Sequence, residues 1–129
     1  MSLHHKILAP FALALVLFLG ACAVFKADTP AQRVFAIQAD YNAVLAASVA
    51  YESQPRCPVG VGSDEQACSE ISVVQAMRLA DDNAYIALRA AQEVVRTPGA
   101  TDSTLSLAVT SATKAVSAFR DTLVLNGVI

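Results

Sequence analysis

From residue 34 onward the chain returns apolar side chains at helical intervals in three successive runs. In the first, Val34, Ile37, Tyr41, Val44, Ser48 and Tyr51 are separated alternately by three and four residues, the interval at which positions share one side of an α-helix. Phe35, Leu45 and Val49 widen that stripe. Thr29-Pro30-Ala31-Gln32 stands just before it and reads as a start signal: threonine as N-cap, proline at the first helical position, and glutamine completing a capping box. With Pro55 as the stop, a first helix is predicted over residues 30–53. The second run, Met77, Ala80, Ala84, Ala87, Ala91 and Val94, keeps heptad spacing, while Arg78, Asp82, Arg89 and Glu93 fall on the opposite side. It predicts a helix over 69–96, ending before Thr97-Pro98-Gly99. The third run, Leu105, Val109, Ala112, Val116, Phe119 and Leu123, predicts a helix over 102–125 that Asn126-Gly127 terminates.

No stretch alternates with period two, and no Asn-Gly turn joins two apolar runs, so the fold class is all-α. Three helices of roughly 35 to 40 Å each, at 1.5 Å per residue, are most simply packed as an up-down-up three-helix bundle over residues 29–129. The alanine-rich second seam fills little volume, so the third helix must supply the bulk. Heptad seams suit self-association as well as packing within one chain, so a homo-oligomer is compatible with the pattern.

The N-terminal block follows a different rule. After the short cationic stretch 1–6, residues 7–19 carry no charge and are interrupted only by Pro10, the architecture of a signal peptide. Leu19-Gly20-Ala21-Cys22 comes next: an aliphatic residue, two small ones and a cysteine. Here the chain resembles bacterial lipoproteins, whose lipobox has this pattern. The resemblance implies a signal peptide over 1–21, cleavage between Ala21 and Cys22, a diacylglyceryl group on the Cys22 sulfur, and a short tether over 22–28. A thiolate is the group that accepts the lipid, and acyl chains add about 0.8 kcal/mol per buried methylene, so two or three hold the protein to a bilayer permanently. Ala23 stands where enteric inner-membrane lipoproteins carry aspartate, which by the same resemblance implies the outer membrane, facing the periplasm. The competing reading is an uncleaved signal anchor, since residues 7–25 lack charge for 19 positions.

Export gives the remaining cysteines a role. Cys57 and Cys68 lie in the long link between the first two helices, and an oxidising compartment makes a Cys57–Cys68 disulfide the expected pairing. The spacing is not Cys-x-x-Cys and no histidine is nearby, which argues for a structural clip over a redox or metal site. Both histidines, His4 and His5, precede Cys22, so cleavage would remove the imidazole that a Ser-His-Asp or Cys-His arrangement needs. Gly60-Val61-Gly62 lacks the third glycine and the lysine of a phosphate-binding loop. Asp81 and Asp82 are adjacent on a helix and point about 100° apart, so they read as a solvated face, with Asp82 placed to pair with Arg78. Past Cys22 the chain has 8 Lys+Arg against 11 Asp+Glu, a balance unlike a nucleic-acid surface.

The sequence therefore predicts no catalytic residues, no cofactor and no metal. It predicts a non-enzymatic envelope lipoprotein that meets the membrane through its lipid and an envelope protein through its bundle. The bundle end opposite the tether is the expected contact surface, through Arg56, Val59, Val61, Leu123, Val128 and Ile129. A bundle that opens to hold a lipid or small ligand is one alternative. A phage-type lysis lipoprotein is another; such proteins resemble this chain in size and anchor, but they are often proline-rich where this one is alanine-rich.

Overall fold

A computed structural model of the chain describes residues 29–58 and 68–129. The expected signal peptide over 1–21 with Ala21, the expected lipid site Cys22 and tether over 22–28, and Val59 and Val61 lie outside the described residues. Three helices follow in order: α1 (Pro30–Glu52), α2 (Ile71–Arg96) and α3 (Asp102–Leu125). Among the described residues there is no strand, only one isolated parallel bridge between Arg56 and Ser69.

Each helix start has a chemical cause. The capping box at α1 forms in full: Thr29 Oγ1 accepts from the Gln32 backbone N–H at 3.2 Å, and Gln32 Oε1 accepts from the Thr29 N–H at 3.0 Å. At α3, Thr101 Oγ1 accepts from the Thr104 N–H, and Asp102 places a negative charge in the first turn, where the helix dipole favours it. Between α2 and α3, Ala100 N–H donates to Thr97 O at 3.3 Å, with Pro98 and Gly99 at the two central positions. Gly99 has φ +80°, the left-handed value that a type II turn requires at its third residue.

The pairings between helices fix their directions. Along α1, Gln38 meets Gln92, Tyr41 meets Asp81 and Glu52 meets Arg78, so α2 descends as α1 rises. Asp40 meets Arg120 and Tyr41 packs on Phe119, while Arg33 and Ile37 border the same groove as Val109 and Lys114, so α3 runs parallel to α1. The arrangement is the expected up-down-up bundle.

The buried positions of α1 are Val34, Ile37, Tyr41, Val44, Ser48 and Tyr51, the predicted seam without exception. Phe35 and Val49 do not widen it; each is more than half exposed, because each sits next to a seam residue and therefore about 100° round the helix. In α2 the seam is displaced. Met77, Ala84 and Ala91 are buried as expected, but Val73, Val74 and Leu88 complete the buried set, and Ala80, Ala87 and Val94 are only half-buried. A helix that touches two neighbours buries a wider arc than one heptad line. The alanines at 84, 91 and 112 are fully buried, which lets backbones approach, and Phe119, Met77 and Leu123 fill the space left.

Two further expectations are corrected. The second helix begins at Ile71, not Ser69, because the Ser69 hydroxyl is used inside the loop and Glu70 serves as N-cap. Arg78 does not take Asp82 as its partner. It reaches across to Glu52 on α1, which favours the charged guanidinium and raises its pKa.

Candidate functional site

Helix directions place the end of α1, the start of α2 and the end of α3 together, at the opposite end of the bundle from Thr29. This distal end is built around the clipped loop. Cys57 and Cys68 form the expected disulfide, with an S–S distance of 2.03 Å. Backbone bonds zip the limbs beside it: Ser69 N–H donates to Pro55 O at 2.8 Å, and Cys57 N–H donates to Ser69 O at 3.1 Å. Ser69 is completely buried, yet satisfied, since its hydroxyl donates to Gln54 O at 3.1 Å and accepts from Arg56 Nη1 at 3.3 Å. The Tyr51 hydroxyl accepts the Glu70 N–H at 3.1 Å, satisfying the backbone donor of the N-cap residue at the start of α2. Sequence reasoning singled out neither Ser69 nor the Tyr51 hydroxyl. The only signal for Ser69 was a small polar residue immediately after the second cysteine of the clip.

The C-terminus is not a loose apolar tail. Gly127 has φ +65°, Gly127 N–H donates to Val124 O, and Val128 N–H donates to Leu123 O at 2.9 Å. These are the two bonds of a Schellman motif, which turns the chain back on the helix it ends. Val128 consequently packs against the core. Leu123, expected as a contact residue, is fully buried, because it lies one turn after Phe119 on the same seam. Of the expected surface, the structure leaves Arg56 and Ile129 exposed and Val128 half-buried. Leu125, at 85% exposure, is the most open large apolar side chain among the described residues. Val49, Ile71 and Val124 add exposed apolar area at this same end.

A second polar feature crosses the middle of the bundle. Tyr41 Oη donates to Asp81 Oδ1 at 2.8 Å, tying α1 to α2 beside the Phe119 ring, whose centroid is 6.3 Å from that of Tyr41. Asp81 thus acts as a hydrogen-bond acceptor for a buried phenol, while Asp82 is exposed. Burial first, then the Asp81 hydrogen bond and its charge, push the Tyr41 pKa well above the usual value of 10.0. A raised phenol pKa adds stability that is complete below the unfolded-state value near pH 10 and is lost as pH climbs through the folded-state value. Urea unfolding at about pH 8 and about pH 11 should therefore show a steeper alkaline loss in the natural protein than in Tyr41→Phe. Equal slopes would show that this phenol is not held neutral by the fold.

Among the described residues, no group of three or more His, Cys, Asp or Glu side chains is placed to hold a metal ion, and no helix is long and apolar enough to cross a membrane. No protein-family model, curated protein or solved structure matches the chain.

Proposed function

We propose that this chain is a lipid-anchored lipoprotein of the bacterial cell envelope, moored at Cys22 in the outer membrane, that works without catalysis by presenting its bundle to another envelope protein. The observation that carries this reading is the leader ending in Leu19-Gly20-Ala21-Cys22, followed after only six residues by Thr29, the N-cap of α1. Six residues span about 20 Å at most, so the anchor would hold the bundle against the lipid surface with α1 pointing away from it. The contact surface in this reading is the distal end, revised by burial to Leu125 and Ile129 with Arg56 beside the clip; Leu123 belongs to the core. An accessory or assembly role fits an end where exposed apolar side chains from the ends of the helices and the C-terminus stand beside a disulfide-clipped link.

The test is a photo-crosslinking amino acid placed at Leu125, at Ile129, or at exposed Thr110 in the first half of α3, in cells with an intact envelope. Discrete adducts with one envelope protein from positions 125 and 129, absent from 110 and lost in Cys22→Ser, are the expected result. Equal adducts from all three positions, or none from the distal pair, would refute the distal surface.

A further inference from the structure

Three asparagines stand in the chain, and their surroundings differ in kind. Asn42 and Asn83 lie within α1 and α2, each followed by an alanine whose N–H belongs to the helix ladder. Asn126 lies just past the end of α3, is exposed, and is followed by Gly127, also exposed. A Cβ built at Gly127 would meet nothing within 4 Å, so water reaches this peptide bond freely.

Asparagine beside glycine carries its own chemistry. The glycine nitrogen, with no Cβ to hinder it, can attack the side-chain amide carbon of the preceding residue. Here the step forms a bond between Gly127 N and Asn126 Cγ and breaks the bond from Cγ to Nδ2. The Gly127 amide proton leaves with that nitrogen as ammonia, and a five-membered succinimide remains. One water then opens the ring. Cleavage between Gly127 N and Cγ gives aspartate, and cleavage between Gly127 N and the residue 126 backbone carbonyl carbon gives isoaspartate; nothing is oxidised or reduced.

The fold holds both reactants away from that path. Gly127 N–H is spent on Val124 O at 3.1 Å, Asn126 Nδ2 donates to Thr122 O at 2.7 Å, and the Asn126 ψ of 11° turns the Gly127 nitrogen away from the side chain. Val128 keeps the turn shut, through its N–H on Leu123 O at 2.9 Å and its side chain against the core. We propose that Asn126 is a modification site where the folded chain deamidates with water, at a rate set by opening of the Schellman turn, and that conversion frees Val128. The new carboxylate lacks the donor that Thr122 O uses and sits at the negative end of the α3 dipole. Isoaspartate also lengthens the backbone by one methylene inside the turn, which takes Val128 N–H out of register with Leu123 O. The site rests on neither the anchor at Cys22 nor the distal contact surface.

The experiment incubates the purified full chain at mildly alkaline pH in water enriched in oxygen-18, in native buffer and in enough urea to unfold it, with peptide mass spectrometry as the readout. Residue 126 should take up the heavy oxygen in both, about tenfold more slowly in the folded chain, the protection expected of a turn held by a few hydrogen bonds. Asn42 and Asn83 should stay unconverted in the folded chain. Val128→Ser keeps the reacting pair and removes the packing that closes the turn; it should convert several-fold faster than the natural chain in buffer and equally fast in urea. An unaltered helical circular dichroism spectrum would confirm its fold. Converted chain, separated by its added charge, should show faster hydrogen exchange at the Val128 amide. Several results would each overturn the proposal: no conversion at 126 in the folded chain by the time the unfolded sample is exhausted, equal rates folded and unfolded, or a Val128→Ser rate equal to the natural one in buffer. Comparable conversion of Asn42 or Asn83 in the folded chain, or a Val128 amide as protected after conversion as before, would do the same.

Discussion

Phe119→Ala should destabilise the bundle by about 3 to 5 kcal/mol, the largest effect expected of any single substitution in it. Phe119 is fully buried, lies against Tyr41 across the α1–α3 contact, and is the bulkiest fully buried side chain among the described residues. Alanine there would leave a ring-sized void beside Tyr41, in a core whose backbone can relax only in part to fill it. A domain near 100 residues has only about 5 to 15 kcal/mol in hand, so the variant should sit near the edge of folding. Its thermal midpoint should fall by at least about 12 °C. Phe119→Leu, which keeps most of the apolar volume, should fall much less. A midpoint for Phe119→Ala within a few degrees of the natural one would mean the three helices do not share the core described.

Opening the clip comes second. Cys57→Ser with Cys68→Ser should cost roughly 2 to 3 kcal/mol, the loop-closure entropy of a ring with the observed sequence separation of 11. The effect has a structural component as well. The disulfide holds together the limbs on which the Ser69 bridge and the Tyr51–Glu70 bond depend, so those bonds weaken with it. The buried α2 positions begin beyond them, at Val73 and Val74, so helix content should survive. The expected outcome is an unchanged far-ultraviolet spectrum with a midpoint lowered by about 10 to 20 °C. A reductant should reproduce the drop in the natural protein and leave the double variant unaffected. No change on reduction would show that the cysteines are not joined in the folded protein.

Legibility followed the physics of each element. The α1 seam could be read residue by residue because that helix obeys one periodicity from its capping box to Pro55, and local chemistry agrees with tertiary packing throughout. The end of α3 was equally clear, since Asn126-Gly127 is strong punctuation there, whereas the Thr101 cap at its start emerged only from the structure. The α2 seam was harder: alanine fits almost any helix position, so the sequence does not say which alanines face inward, and the half-buried Ala80 and Ala87 resemble the buried Ala84 and Ala91. Arg78 shows the same limit in charge pairing, because Asp82 satisfies the local rule while Glu52 lies 26 residues away in sequence. At the distal end, Cys57 and Cys68 were legible by elimination. The turned-back Val128 was not, because an apolar C-terminus reads identically whether it frays or folds onto Leu123.

Anchoring at Cys22 is the claim on which the functional account stands, and the intact mass of the protein extracted from membranes tests it most directly. The account predicts a chain that has lost residues 1–21 and carries the added mass of a diacylglyceryl group on Cys22, with or without a further acyl group on its amine. A chain that still begins at Met1 and bears an unmodified Cys22 thiol would contradict it.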